Sequence, residues 1–344
     1  MREEPAPADA DHPFALLDPT RVIDALESTG IRCDGRLQAL NSFENRVYLV
    51  GLEDADPGDG ATSRVVKFYR PARWTDAQIL EEHAFAGELA AHEIPIVAPL
   101  AMAGGDTLHH AQGFRFAVYP RQGGRVPALD NARDGRPMRE RIGRFIARLH
   151  RLGEARAFTT RPRIDAQADA RHAIEVVTTS GFLPPALEAS WVAVAQQCAA
   201  ACSAAFEPPP AVLRLHGDCH LGNLLWTDDG PHFVDLDDCR SGPAIQDLWM
   251  LADAGAEQAD AGASTGPTAQ MSELLDGYTT MRAFDARELG LIEPLRTLRM
   301  IGYSAWLAQR WHDPAFPAAF PWFGTERYWQ DQILYLREQL GQLA

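Results

Sequence analysis

Two short runs constrain this chain more than any other part of it: L-R-L-H-G-D-C-H-L-G-N-L-L-W at Leu213–Trp226, and H-F-V-D-L-D-D at His232–Asp238. In each, apolar residues flank a polar knot, the pattern of short buried strands that push a few charged groups out of their ends. His216, Asp218 and Asn223 fall in one tight loop. After a Gly-bearing turn at Thr227–Pro231, Asp235 arrives on the partner strand. One carboxylate to take a proton, with an amide and a second carboxylate to hold a metal, is the set that phosphoryl transfer needs. That reaction asks for a positioned nucleophile and a metal on the phosphates, with little covalent work for the protein. Asn223 and Asp235 supply the hard oxygen donors that Mg²⁺ prefers. The plain reading is a β-hairpin with satisfied polar groups. A sharper rival is a metal hydrolase with His216, Asp218 and His220 alternating as ligands on one strand face. It would need further His or Cys ligands elsewhere, and the sequence offers no second cluster.

The spacing H-x-D-x-x-x-x-N, followed by a strand-borne Asp, is similar to the catalytic and metal loops of the protein-kinase-like superfamily. In its form H-G-D-x-H-x-x-N it resembles the branch holding the aminoglycoside and choline kinases. The resemblance implies an α+β fold: a bilobal protein-kinase-like architecture with an antiparallel-sheet N-lobe and a mainly helical C-lobe. A length of 344 residues suits two lobes around a cleft. The formal charge of −15 argues against nucleic acid and anionic membranes as partners. Met1–Pro13 lacks the apolar core of a secretory signal. Ala189–Phe206, mostly small residues interrupted by Gln196 and Gln197, reads as a packed helix, because a membrane span wants about 20 strongly apolar residues. Five cysteines with no C-x-x-C suit reduced thiols in the cytoplasm, and Cys198 and Cys202, one helical turn apart, suit a core.

Residues 1–12 read as disordered, being acidic and rich in Pro and Ala. A helix opens near Asp18-Pro19-Thr20 and carries Val22, Ile23 and Leu26 inward until Gly30. Leu37–Val50 and Ser63–Pro71 read as strands of a hairpin whose tip is the acidic loop Glu53–Thr62. In a kinase N-lobe the first turn of such a meander covers the ATP phosphates with glycines. The corresponding Asn41-Ser42-Phe43-Glu44-Asn45 has none, so contacts there would come from backbone N–H groups and the Ser42 hydroxyl. Lys67 stands mid-strand between apolar neighbours, where a lysine needs an anionic partner unless its strand is an edge facing water. The next helix, capped at Thr75 or Asp76, carries Glu81 and Glu82. The superfamily implies that a Glu here faces the strand lysine, and counting back from the helix end favours Glu82, with Glu81 its competitor.

A strand pair, Thr107–His109 and Phe114–Pro120, leads into F-A-V-Y-P-R-Q-G-G-R. This resembles the hinge between lobes, which would offer the backbone at Val118, Tyr119 and Pro120 to an adenine edge. After a polar loop through Asn131–Pro137, Ile142, Phe145, Ile146 and Leu149 at i, i+3, i+4 and i+7 describe an amphipathic helix, whose His150 reads as structural. Another helix spans about Ala186–Ala205. Asp247, near the start of a later helix, reads as a cap, as a tie to the catalytic-loop backbone, or both. Ala252–Ala269 is Gly/Ala/Asp-rich and reads as mobile. The remainder is helical, with Glu293, Arg296 and Arg299 on one segment and aromatics that are mostly core, a few of them suited to an acceptor cleft. Cys219 and Cys239 read as inert strand residues, with a redox-sensitive Cys219 as the alternative.

Taken together, L-N-S-F-E-N-R-V-Y, V-V-K-F-Y-R-P-x-R-W, Q-I-L-E-E-H-x-F, V-L-R-L-H-G-D-C-H-x-G-N, F-V-D-L-D-D, G-P-A-x-Q-D-L-W-M-L and W-x-D-P-A-F-P-x-x-F-P-W resemble the bacterial YihE/RdoA protein-kinase family of stress response kinases. The match runs from about Phe14 to the C-terminus, and its last motif lies outside the machinery kinases share. It implies an ATP- and Mg²⁺-dependent Ser/Thr protein kinase, monomeric and cytoplasmic, acting in envelope and oxidative stress. By position it implies Asp218 as catalytic base, Asn223 and Asp235 on Mg²⁺, and Ser42 against ATP. Lys67, Glu82, Val118 and Tyr119 complete the expected ATP site. The implied division is a disordered 1–12, an N-lobe over 13–120 and a C-lobe over 121–344. A protein hydroxyl and a small-molecule hydroxyl use the same base and metals, so a kinase of aminoglycoside, choline or homoserine type is the second reading. A metal-dependent hydrolase or a non-catalytic nucleotide-binding regulator is the third.

Overall fold

The computed structural model describes residues 12–129, 133–252 and 268–343. Most of the segment read as disordered over 1–12, most of that read as mobile over 252–269, and the start of the polar loop at Asn131 lie outside the described residues. The chain forms two compact units. The first holds the residues up to Leu80, Pro99–Arg121 and Leu307–Gly324; the second holds Glu81–Ala98, Gln122–Trp306 and the residues from Thr325 onward. The division therefore does not follow a single cut after residue 120.

In the first unit, α1 (Pro19–Glu27) starts where the Asp18 carboxylate accepts the Arg21 N–H at 2.9 Å. It buries Val22, Ala25 and Leu26, while Ile23 is half-buried. Five antiparallel strands follow: β1 (Cys33–Leu40), β2 (Arg46–Leu52), β3 (Ser63–Phe68), β4 (His109–Ala111) and β5 (Phe114–Pro120), in the spatial order β1-β2-β3-β5-β4. The run Leu37–Val50 is thus two strands, separated by the turn at residues 41–45. The short strand expected at Thr107–His109 sits instead at His109–Ala111. β3 lies between β2 and β5, which removes the edge-strand reading of Lys67. Successive residues of a strand face opposite sides. Val66 and Phe68 accordingly join Phe116 and Val118 in the cluster that includes Val22 and Leu26 of α1. Lys67, 6% exposed, stands on the other face with its ammonium 5.0 Å from the centre of the Tyr69 ring. Tyr69, Ile79, Leu108 and Ala117 form a smaller apolar cluster of their own.

α2 (Asp76–Ala91) crosses the boundary between units after Leu80. In the second unit, α3 (Gly135–Glu154) buries Ile142, Ile146 and Leu149, with Phe145 half-buried, as its periodicity requires. α4 (Ala166–Thr179), opened by Asp165 accepting the Ala168 N–H at 2.9 Å, was not expected. Its inner face is Ala166, Ala170, Ala173 and Val177, too little apolar surface to register as a periodic signal. α5 (Pro185–Ala205) matches expectation, with Cys198 and Cys202 fully buried. Two small antiparallel pairs follow: β6 (Leu213–Leu215) and, next to one another, β7 (Leu224–Thr227) and β8 (Gly230–Phe233); β9 (Arg240–Gly242) pairs with β6. The remaining helices are α6 (Trp249–Ala252), α7 (Ala269–Thr279), α8 (Ile292–Arg310), α9 (Ala315–Ala319) and α10 (Glu326–Gln342).

Candidate active site

The loop between β6 and β7 is held from behind by Asp247. Its two carboxylate oxygens accept the backbone N–H groups of His216 and Gly217, each at 2.8 Å, and His150 donates from Nε2 at 3.1 Å. Asp247 ends a single 3₁₀ turn, Ala244–Asp247, and these bonds show the backbone tie among its readings. His150 is fully buried between this carboxylate and the Tyr278 hydroxyl at 2.8 Å, and burial keeps its imidazole below its ordinary pKa. Gly217 has φ +87°, and a Cβ there would collide with the Asp238 carbonyl, so the loop can turn only at a glycine.

That turn presents Asp218. One oxygen of its carboxylate accepts from Arg299 Nη1 of α8 at 2.7 Å, and the other lies 3.4 Å from His220 Nε2. Because His220 Nδ1 accepts the Gly222 N–H at 3.0 Å, Nε2 is the nitrogen that carries the proton toward Asp218. Burial pushes the Asp218 carboxyl up, but the His220 hydrogen bond and the Arg299 charge outweigh it and hold the group at about 2. Asp218 is therefore an anion at neutral pH, able to accept a proton from a hydroxyl brought against it.

Asn223 donates from Nδ2 to the Asp218 carbonyl at 2.9 Å, which turns its amide oxygen, the atom a hard cation takes, away from that bond. Its own carbonyl accepts the Val234 N–H at 3.0 Å, and His216 Nε2 donates to the Val234 carbonyl at 3.0 Å. Both bonds tie the catalytic loop to the residue before Asp235. Asp235 is not on the strand: it lies two residues beyond β8, in the left-handed region at φ +60° and ψ +68°. A non-glycine residue in that region carries strain, of a kind that recurs at functional sites.

The two neighbouring glutamates of α2 have separate jobs. Glu81 accepts five hydrogen bonds, from the N–H and hydroxyl of Thr159, the N–H and hydroxyl of Thr160 and the N–H of Arg161, at 2.6–2.8 Å. Burial opposes its charge, but these bonds prevail and set its pKa at about 2. Glu82 is 2% exposed and lies close enough to Cys239 to help push that thiol up. Arg161 carries the Glu81 contact onward: it donates from Nε to the Cys239 carbonyl at 2.9 Å and from Nη2 to the Asp237 carbonyl. The Glu81 clasp thereby fixes the loop that follows Asp235. Neither Arg161 nor Arg299 was singled out as a site residue from the sequence. Each acts across about 80 residues of chain, a distance over which no spacing rule operates.

Among the first unit's candidates, the Ser42 hydroxyl donates to the Asn45 carbonyl at 3.2 Å, within the glycine-free turn. Val118 is buried mid-strand opposite Val66, and its carbonyl accepts the Leu100 N–H at 2.7 Å. Pro120 has no N–H to offer an adenine edge. Tyr119 pairs with Val65, and its hydroxyl lies 3.0 Å from that of Tyr69. Cys219 and Cys239 are fully buried, and burial, with nearby carboxylates, raises both thiols far above their ordinary range. They are inert at neutral pH. The three ligands of the hydrolase reading, His216, Asp218 and His220, do not gather as one set. Among the described residues no three His, Cys, Asp or Glu side chains converge as a metal cluster.

The model of the phosphotransferase enzyme family matches residues 36–288, which include every one of these groups except Arg299. The chain belongs to that family. It is 44% identical over 326 residues to stress response kinase A of Escherichia coli K12, covering 95% of this chain and 93% of that protein. It is 43% identical over the same length to the serine/threonine protein kinase RdoA of Salmonella typhimurium. Among solved structures, amicoumacin kinase hAmiN in complex with AMP-PNP, Ca²⁺ and Ami superposes with a TM-score of 0.70 at 18% identity, over 92% of this chain and 91% of that one. Spectinomycin phosphotransferase APH(9)-Ia, in complex with ADP and spectinomycin, superposes at 0.61 and 14% identity, over 93% and 98%. The phosphotransferase family thus has in this chain a protein-kinase-like fold and the activity of a phosphotransferase. No helix among the described residues is long and apolar enough to cross a membrane.

Proposed function

We propose that this phosphotransferase is an ATP- and Mg²⁺-dependent Ser/Thr protein kinase of the bacterial stress response, monomeric and cytoplasmic. The observation that carries the chemistry is the linked set Asp218–Asn223–Val234, which sets an anionic carboxylate, an amide oxygen and the neighbouring Asp235 around one loop. The protein acceptor is supported by the likeness to stress response kinase A and RdoA over 95% of the chain.

Asp218 accepts the proton of the acceptor hydroxyl as that oxygen forms its bond to the γ-phosphorus and the bond from phosphorus to the β,γ-bridging oxygen breaks, leaving ADP. Arg299 and His220 keep the carboxylate charged and aimed while it waits. The donor set fits a hard divalent cation: Asn223 offers its amide oxygen and Asp235 its carboxylate, both to Mg²⁺. The cation would neutralise phosphate charge. Lys67 orients the phosphates, Ser42 contacts them, Glu82 supplies the acidic member of the nucleotide site, and Val118 and Tyr119 border the adenine.

The test is ATP turnover with Mg²⁺ against a generic Ser/Thr-rich protein and, in parallel, choline, homoserine and an aminoglycoside. Phosphate appearing on protein Ser or Thr is the expected result. Transfer confined to the small hydroxyl compounds would contradict the protein-kinase reading and favour a small-molecule kinase.

A further inference from the structure

The D-P-A-F-P segment near the C-terminus has no part in the chemistry above, yet it is tied closely to the first unit's turn at residues 41–45. Arg46 Nη2 donates to both oxygens of Asp313, at 2.6 and 2.7 Å, and Arg70 Nη2 donates to one of them at 2.7 Å. Asp313 is 1% exposed. The same two arginines grip the turn that precedes β2. Arg46 donates to the carbonyls of Phe43 and Asn45 at 3.2 Å, and Arg70 to those of Phe43 at 3.2 Å and Glu44 at 2.8 Å. The Glu44 carboxylate meets Arg310 Nε at 2.6 Å, Arg70 Nε at 3.1 Å and Arg73 Nε at 3.6 Å. The Phe43 ring rests on Phe316 and Phe320, with centroids 6.5 and 5.2 Å away.

We propose that the segment Leu307–Gly324 is a clamp that sets the turn Asn41–Asn45 for nucleotide phosphates, with Asp313 as the positioning residue acting through Arg46 and Arg70. The inference rests on the reading of that turn as the one covering ATP. Three features of the network carry it. The turn has no glycine and no residue at positive φ, so its shape is not that of a flexible phosphate loop and has to be imposed from outside. Guanidinium groups only donate, so the clamp engages carbonyl and carboxylate oxygens and none of the turn's amide hydrogens, which are the groups a phosphate takes. Four guanidiniums, of Arg46, Arg70, Arg73 and Arg310, meet two carboxylates, of Glu44 and Asp313. The clamp therefore sets four guanidiniums beside this turn, the group that pairs with phosphate.

The experiment compares wild type, Asp313→Asn and Arg46→Lys in the full chain, by Mg–ATP calorimetry, steady-state kinetics and thermal melting. Both variants should weaken ATP binding and raise KM for ATP by about tenfold or more, while kcat at saturating ATP stays within about threefold, the split expected when the turn is displaced and the base is not. A folded variant with wild-type ATP affinity overturns the inference, as does a fall in kcat with KM unchanged. Should Asp313→Asn fail to fold, Arg46→Lys, which keeps the charge but has no second nitrogen to hold the Phe43 and Asn45 carbonyls while the first holds Asp313, decides the matter alone. A wild-type protein that does not bind Mg–ATP would overturn the proposed function, and this inference with it.

Discussion

Asp247 holds Gly217 by its backbone N–H, the nitrogen 2.8 Å from Oδ1, and so fixes the turn from which Asp218 projects. Its other oxygen holds His216 in the same way, and the carboxylate is itself buried against His150. Removing it in Asp247→Ala would leave two buried N–H groups without an acceptor, at about 1–3 kcal/mol each. Denaturant unfolding should show that loss, and phosphate transfer should fall with it, because the backbone behind the base is no longer pinned. Unchanged stability in Asp247→Ala would mean that the loop is held by other contacts.

Glu81 and Glu82 should fail differently. The Glu81 carboxyl is held at about 2 against an ordinary 4.5, so its stabilisation is fully present above pH 4.5 and is lost as the pH falls toward 2. Glu81→Gln should flatten the acid limb of the stability profile between those values, measured by melting at stepped pH. Glu82→Gln should instead lower phosphate transfer at neutral pH by about tenfold or more, as expected for a preorganised charge. Loss of activity in Glu81→Gln alone would assign the nucleotide role to the wrong glutamate.

How far these roles can be read from the sequence follows from how local their causes are. Asp218, Asn223 and Asp235 fall within 18 residues and between apolar strands, so the loop and its tie from Asn223 to Val234 follow from local spacing. The phase of α3, which puts Ile142 and Leu149 inward, likewise depends only on a 3.6-residue repeat. α4 escaped because alanines carry its buried face. Arg299 and Arg161 escaped because an arginine on an exposed-looking helix or loop has no signature until its carboxylate or carbonyl partner is known. Asp235 was expected on a strand because its apolar neighbours alternate; the left-handed backbone that takes it off the strand depends on the tertiary tie through Val234.

Lys67 is buried on a central strand, where only an anion nearby offsets the cost of its charge. Lys67→Ala should lower kcat/KM for ATP by about 10²-fold or more, in keeping with other electrostatic groups aimed at phosphate. Near wild-type kinetics would show that its ammonium serves the Tyr69 ring and the local fold alone.

The roles given to Asp218 and Asp235 are the centre of this account, and Mg–ATP calorimetry on Asp218→Asn and Asp235→Asn, paired with a transfer assay, tests them most directly. The proposed role of Asp218 is that of base and not of nucleotide ligand, so Asp218→Asn should bind Mg–ATP as wild type does while transfer falls by about 10²–10⁴-fold, the range for a lost general base. Asp235→Asn should lose metal-dependent ATP binding as well as transfer, because the proposed role of its carboxylate is to hold the cation. The opposite outcome, with metal binding lost in Asp218→Asn and kept in Asp235→Asn, would contradict the assignment of base and metal ligand.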